Sequence, residues 1–507
     1  MIVFLFKYLQ GVLPLEISQY LKLDFCYGWI AILVLTLIGI AFLKRSTNSP
    51  PGPWAWPIIG HLTYFQQKSY IFLSNMRECY GDVYQLKIGS NTIVVACSLE
   101  AIKEGLVEKG DAYSGRAGLE SCHSLYGGDK ERGVCLAAMD EKNEMKKNFL
   151  NWSLDAYCCD SESIEDILAL DIVDVVNKFI QADHPFDPFY SLEAACLNMM
   201  MKLIFGQRFD PAGMAMREML STFHTRNKVR YFNPLDYVPL LKIFRTRDDL
   251  DAISKMTENQ LEYQRKAINY HKDSYDPENI RDMVDHLLLY IETGEDHALL
   301  EKEDIDYLLL DVSNSGYEAI AVTLTWLLRY MAAFPDVQHE IQQELDSVVG
   351  RDRLPSLLDQ AYLPYTTAVI FETERIASVY PFLQPHIVVE NSTLQGYRLS
   401  KGTCILFNVW SIHHDSRYWK NPMKFDPHRF INEDKTLEIP DHFMPYGAGT
   451  RSCSGESLAE IQLFLFFATI MHQMSVKSED DKLVPDLEGE HDFLIRPKHF
   501  SIAVTER

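Results

Sequence analysis

One cysteine near the C-terminus carries the strongest chemical signal. In Phe443-Met-Pro-Tyr-Gly-Ala-Gly-Thr-Arg-Ser-Cys-Ser-Gly455, three glycines, Gly447, Gly449 and Gly455, surround Cys453, and Arg451 stands two residues before it. Glycine permits turns closed to other residues and lets a backbone approach a flat, bulky group. A helix-like run from Glu456 to Met474 follows at once. Cys453 would then sit among unpaired N–H groups at the positive end of a helix dipole, which favours thiolate. A thiolate held open against a plane is what an axial haem ligand requires. The competing reading is a buried structural cysteine in a glycine-rich turn.

The elements that must position this loop are mostly helical. The 507 residues, 47% of them hydrophobic, suffice for a single large helical domain. A formal charge of −23 argues against nucleic acid, because nothing would neutralise phosphate. Ten scattered cysteines, Cys158 and Cys159 adjacent among them, fit a reducing compartment and mostly inert thiols. Val83 to Ser98 alternates around Gly89-Ser-Asn91 and reads as a hairpin, so minor antiparallel sheet accompanies the helices. Ile305 to Phe334 reads as a long apolar helix, interrupted at Ser313-Asn-Ser-Gly316 and stopped by Pro335. Asp336 to Gly350 reads as a helix with proline before it and glycine after it.

At the other end, residues 1–24 mix apolar runs with charges, and residues 25–43 carry none. As a helix this charge-free stretch spans about 28 Å, just enough for a bilayer. Lys44-Arg45 would hold its C-terminal end in the cytoplasm, leaving 1–24 in the lumen. Residues 44–60, with Pro50, Pro51, Pro53 and Pro57, form a stiff connector to a body spanning 61–507.

Pro445-Tyr-Gly-Ala-Gly-Thr-Arg-Ser-Cys-Ser-Gly455 resembles the haem-binding signature of the cytochrome P450 family, with Tyr446 where the family usually has Phe. The likeness runs from about residue 50 to the C-terminus and is nearest to the family-1, aryl-hydrocarbon-inducible microsomal group. It implies the P450 fold, mainly α with minor β, with a long central helix over the haem and an N-terminal transmembrane anchor. It implies haem b (iron protoporphyrin IX) on Cys453, with Arg451, Gly447, Gly449, Gly455 and Tyr446 forming its cradle.

Further motifs match piece by piece. Glu372 and Arg375 correspond to the family's Glu-x-x-Arg, and Arg429 to the arginine that locks with it, with His428 at the usual glutamate. Their implied role is structural, a buried network pinning the segment that carries the cysteine. Glu141 to Leu154 reads as a helix, and the family's Trp-x-x-x-Arg on it becomes Asn143 and Lys147 here. Lys147 can still pair a haem propionate, though not bidentately. Lys142, Lys146 and Lys147 read either as a solvated face or as a docking face for an acidic redox partner. In Val379-Tyr-Pro-Phe-Leu-Gln-Pro-His386 the last residue is the candidate donor to a propionate, and Val379, Tyr380 and Gln384 fall on the substrate pocket. Ser221 to Lys242 falls where the family roofs that pocket.

The most consequential departure is in Ser315-Gly-Tyr-Glu-Ala319, which matches the family's Ala-Gly-x-(Asp/Glu)-Thr. Ser315, Gly316 and Glu318 are kept as catalytic candidates, but Ala319 replaces the threonine hydroxyl that helps deliver protons during oxygen activation. The implied activity is insertion of one oxygen atom from O2 into a lipophilic substrate, a planar aromatic, steroid or fatty acid. Electrons would come from NADPH through NADPH–cytochrome P450 reductase, with cytochrome b5 as a further donor, at the cytoplasmic face of the endoplasmic reticulum and in contact with membrane lipid. Ala319 keeps open a haem-thiolate enzyme that rearranges or reduces lipid hydroperoxides, and Asn143 with Ala319 a haem or lipid binder without turnover.

Overall fold

Residue 316 divides the long apolar run. Instead of one bent helix, two helices meet there, Lys302–Ser315 and Glu318–Ala333, and the molecule is arranged around the break. The structure is a computed structural model that describes residues 48–56, 59–64, 68–89, 91–159, 161–227, 247–293, 300–479, 487–491 and 494–507. Residues 25–43, expected to anchor the chain, lie outside the described residues, as does most of the expected pocket roof beyond Asn227. Among the described residues no helix is long and apolar enough to cross a membrane. Contacts divide the chain into a small unit, 1–49 with 396–398, and a large one holding every element discussed below.

The principal helices are α1 (Ser69–Tyr80), α2 (Glu141–Cys159), α3 (Ser161–Ile180), α4 (Phe189–Phe205), α5 (Met214–Asn227), α6 (Arg247–Ser274), α7 (Met283–Thr293), α8 (Lys302–Ser315), α9 (Glu318–Ala333), α10 (Pro335–Val348), α11 (Pro364–Ala377) and α12 (Glu456–Gln473). Their ends follow local chemistry. Glu301 and Asp304 close a capping box at the start of α8. Pro335 and Pro364 open α10 and α11, where a missing N–H costs nothing. The α12 helix is apolar nearly all round, from Leu458 through Met471, and is correspondingly buried. Helices α4, α9 and α12 supply much of the main core, including Leu197, Trp326 and Phe466.

The hairpin forms as strands β1 (Val83–Ile88) and β2 (Asn91–Ala96), paired Val83 to Ala96 through Ile88 to Asn91. It does not stand alone as an antiparallel sheet. Three later strands, β3 (Gly115–Arg116), β4 (His386–Ile387) and β5 (Cys404–Phe407), complete a mixed sheet in the order β1-β2-β5-β4-β3, with β2 and β5 parallel. The parallel pairing has no local sequence signature, because its partners lie more than 300 residues apart and no hairpin turn joins them. Within this sheet Arg116 is the register partner of His386, which sets two polar side chains side by side on one wall of the interior.

The segment that carries the cysteine is fixed by charge. Arg375 donates from Nε and a terminal nitrogen to Glu372 at 2.7 and 2.8 Å, and from its other terminal nitrogen to the His413 carbonyl at 2.6 Å. Arg429 donates to Glu372 at 3.2 Å and to the carbonyls of Lys420, Asn421 and Lys424. The N–H of Asp426 donates to the same Glu372 oxygen at 2.8 Å. Glu372 and Arg375 are wholly buried, so the bidentate pairing and the carbonyl acceptors must together offset the desolvation of both charges. Trp419 lies under the Arg375 guanidinium at 5.1 Å, and Phe425 stacks on Tyr330 and Phe334. His428 takes no part. It is exposed, 3.9 Å from Glu340.

Candidate active site

A cavity of about 890 Å³ lies between the helix break and the cysteine loop. Cys453, Arg451, Tyr446 and Gly455 line it from the loop, and Ser315, Gly316, Glu318 and Ala319 from the break. Val379, Tyr380, Gln384 and His386 line it from the segment after α11, and Lys147 from α2. Leu150, Leu154, Ile320, Leu458 and Leu463 add apolar wall. The volume is that of a large small-molecule site.

The Cys453 sulfur lies deep in the protein but is accessible, because it faces this cavity. Its backbone N–H donates to the Tyr446 carbonyl at 3.0 Å. Burial pushes the thiol up, and Glu456 adds to the rise, against the Gly455 N–H and the Lys147 charge, which draw it down. The helix end therefore does not by itself produce the thiolate expected from the sequence. A coordinating cation would, since metal binding deprotonates a thiol outright.

The glycines of the loop divide by role. Gly455 lines the cavity, whereas Gly447 and Gly449 do not and instead shape the turn. Gly449 has φ +70°, and a Cβ there would stand 1.8 Å from the Leu106 carbonyl oxygen. That backbone packs against the Glu104–Glu108 turn, an approach that only glycine permits. Arg451 donates to the carbonyls of Ser114 at 2.7 Å and Ala137 at 2.7 Å, tying the loop to two neighbouring segments. The Tyr446 hydroxyl donates to Glu374 Oε1 at 2.6 Å.

The lysines of α2 all find partners within the protein. Lys146 is fully buried and donates to the carbonyls of Glu131, Arg132 and Gly133, with Asp304 3.0 Å away. Lys142 pairs with Asp304 at 2.5 Å. Lys147 donates to the carbonyls of Thr450 and Ser452 and so braces the cysteine loop. Asn143 is buried outside the cavity, its amide donating to the Val134 carbonyl at 3.4 Å. These side chains turn inward because Asp304 and a run of carbonyls face them, partners that lie outside the helix and leave no periodic trace in it.

His386 lines the cavity as expected of a pocket residue. Burial holds its imidazole well below the ordinary range, and Arg116 and Arg451 depress it further. Its Nδ1 meets the Tyr113 carbonyl at 2.7 Å and carries a proton there. Its strand partner Arg116 also lines the cavity, donating to the Cys135 carbonyl at 3.2 Å. Arg116 is the cation that sequence reasoning missed. A lone arginine in a two-residue strand gives no signal until the sheet pairs it with His386.

At the break, Ser315 donates to the Asp311 carbonyl at 2.7 Å, and Thr323, one turn past Ala319, donates to the Ala319 carbonyl at 2.8 Å. Both hydroxyls line the cavity with their protons committed to their own helices. The Asp311 carboxylate accepts from the Tyr126 hydroxyl at 2.7 Å and from the N–H groups of Val134 and Cys135. Glu318 is buried and pairs with Arg496.

A second group, His271, Asp282 and Asp285, is buried near the junction of α6 and α7. Its atoms already have partners. His271 bonds Asp282 at 2.5 Å and the Ala267 carbonyl, and Arg281 takes Asp285.

The family model that matches the chain is Cytochrome P450, over residues 50–504. Cytochrome P450 1A1 of Rattus norvegicus is 30% identical over 473 residues, covering 89% of this chain and 88% of that protein. Cytochrome P450 1A1 of Canis lupus familiaris is 31% identical over 453 residues, with 85% of each covered. Cytochrome P450 2U1 of Homo sapiens is 29% identical over 519 residues, covering 94% of this chain and 92% of that protein. With an accessible cysteine under a broken helix and this likeness along nearly its whole body, the chain belongs to the cytochrome P450 family, the haem-dependent monooxygenases.

Proposed function

We propose that Cys453 is the axial thiolate of a haem bound in the cavity, and that the enzyme oxidises a lipophilic substrate held between the haem and the helix break. The carrying observation is that the Cys453 sulfur, Ala319 and Tyr380 line one space of about 890 Å³. The residues fit the group. Cys453 faces the cavity from a loop whose turn demands glycine at 449, and Arg116, Lys147 and Arg451 line it as cations for two carboxylates. Haem held by a thiolate supplies oxygen activation.

The chain supplies the rest. Tyr446, Gly455 and Leu458 form part of the floor around Cys453, and the apolar wall of Leu150, Leu154 and Ile320 excludes water and favours an apolar substrate. Tyr380 and Gln384 narrow that pocket and give it polar points. Glu318 is the ionisable group of the break, held by Arg496, and Ala319 beside it can neither donate nor accept through its side chain. Substrates are planar aromatics, steroids or fatty acids, electrons arrive from NADPH through a reductase, and residues 25–43 hold the body at the endoplasmic reticulum membrane.

Ala319 favours one alternative, turnover of lipid hydroperoxides, which needs no protons for reduced oxygen. Reconstitution with haem, reductase and a substrate panel separates the two. The expected result is product that tracks NADPH in wild type, a thiolate-type reduced carbon-monoxide difference spectrum, and loss of that spectrum in Cys453→Ser. Turnover of hydroperoxides without NADPH, and none with it, would replace the monooxygenase reading.

A further inference from the structure

Glu374 is a buried carboxyl that the chemistry described so far does not use. It stands on α11 one residue before Arg375 and is 6% exposed. Like Cys453 and Tyr446, it lines the cavity. Its Oε1 accepts from the Tyr446 hydroxyl at 2.6 Å, and its Oε2 has no hydrogen-bond partner among the described residues. The Tyr446 carbonyl in turn accepts the Cys453 N–H at 3.0 Å. One side-chain bond and one backbone bond therefore join this acid to the cysteine.

We propose that Glu374, tied to the Cys453 loop by Tyr446, takes up a proton as the haem takes up an electron, so that electron entry in this chain is coupled to a buried acid beside the cysteine loop. The inference rests on Cys453 as the haem ligand. The step balances in charge. One electron passes from the reductase to the haem, and up to one proton passes from solvent to Glu374. The Tyr446 O–H stays intact as the donor to Oε1. The proton sits on Oε2, the oxygen that has no other partner.

The surroundings offer this carboxylate a proton and no cation. Arg375, its neighbour, is spent on Glu372 and the His413 carbonyl. His413 shares the cavity wall but is neutral: burial holds its imidazole well below the ordinary range, and its Nε2 accepts the Met444 N–H at 3.1 Å. The other titratable groups acting on Glu374 are Tyr446, Glu460 and Glu456, the last two on α12. Burying an unpaired carboxylate among acids is costly, and a proton removes the cost. Burial therefore pushes Glu374 up to about 8, where it titrates near neutral pH. Negative charge added at Cys453's ligand position makes a linked acid hold its proton more tightly, and by reciprocity that proton makes the electron easier to accept. Glutamine at 374 would take the same Tyr446 bond with no charge to titrate.

The test is a potentiometric titration of the reconstituted holoenzyme, followed by its Soret band, without substrate or reductase. From about pH 6 to about pH 10 the reduction equilibrium of wild type should shift roughly tenfold toward the oxidised form, about 59 mV for one electron. That is the order expected of one charge on the order of 10 Å away at an effective dielectric constant of about 20. Glu374→Gln should abolish this fall. Tyr446→Phe removes the bond that favours the carboxylate and should move the fall to higher pH. Glu460→Gln removes a neighbouring acid and should move it to lower pH.

A second readout locates the proton. At about pH 8 the reduced-minus-oxidised infrared difference spectrum should gain a protonated-carboxyl band that Glu374→Gln lacks. A wild-type potential indifferent to pH overturns the coupling, and so does a fall that persists in Glu374→Gln. In either case a thiolate-type carbon-monoxide difference spectrum leaves Cys453 standing as the ligand. A wild type without that spectrum overturns both the coupling and the haem-thiolate reading. Tyr446→Phe and Glu460→Gln keep Glu374 in place and decide the matter even if Glu374→Gln does not fold: a fall that stays at the same pH in both overturns the coupling.

Discussion

Tyr446→Phe installs the residue that the cytochrome P450 family usually carries, yet it should weaken this protein, and by an amount that grows with pH. The Tyr446 hydroxyl donates to Glu374 Oε1 at 2.6 Å, and the other Glu374 oxygen is buried with no partner among the described residues. Burial pushes this carboxyl up to about 8; Tyr446 opposes the rise, and Glu460 and Glu456 add to it. An unfolded glutamate releases its proton near pH ~4.3. Between that point and about 8 the folded state holds a proton that the unfolded state has lost, so stability falls as pH rises across the window. The whole window is worth on the order of 5 kcal/mol.

At about pH 6 the Tyr446 bond meets a neutral carboxyl and its loss should cost about 1 kcal/mol, whereas at about pH 9 it meets a carboxylate and should cost about 2–3 kcal/mol. In a Glu374→Gln background the cost should be the same at both. Urea unfolding by circular dichroism, at matched haem content, measures each. Equal losses at the two pH values in the Glu374 protein, or a loss that shrinks with pH, would refute a carboxyl titrating at this position.

Three further outcomes follow from the same geometry. Arg375→Ala leaves Glu372 buried without its bidentate partner and should cost about 3–5 kcal/mol, read as lost haem content and a lowered melting temperature. Gly449→Ala forces a side chain into the left-handed region, against the Leu106 carbonyl, and should abolish haem incorporation. Lys142→Gln removes a one-third-exposed partner of Asp304 and should lower stability by about 1 kcal/mol, leaving the reductase concentration for half-maximal turnover unchanged.

What could be read from the sequence depended on whether a residue's partners lie beside it in the chain. The Cys453 loop and the helix break each fit within a short stretch, so composition and spacing single them out, and the Glu372–Arg375 pair stood out through its resemblance to the family's Glu-x-x-Arg. The charged residues of α2 are different. Nothing within Glu141–Leu154 separates a solvated lysine from Lys146, because the feature that buries it is Asp304, more than 150 residues away. His386 was legible as a polar residue of the pocket, but its partners were not. They are the Tyr113 carbonyl at Nδ1 and Arg116, which the sheet register sets beside it.

The same reasoning explains why Tyr446 and Ala319, both visible departures from the family pattern, carry different weight in the folded protein. Tyr446 has a buried carboxyl to receive its hydroxyl, so the substitution is matched within reach of the side chain. Ala319 has no such local match. The hydroxyls one turn to either side, Ser315 and Thr323, donate their protons to backbone carbonyls of their own helices. A hydrogen-bonding group absent from a site can be replaced only by one that still has a proton to give or a lone pair to offer. At the break Glu318 keeps such capacity, and Arg496 pairs with it. No single stretch of the chain announces that pairing, because Arg496 lies 178 residues beyond Glu318.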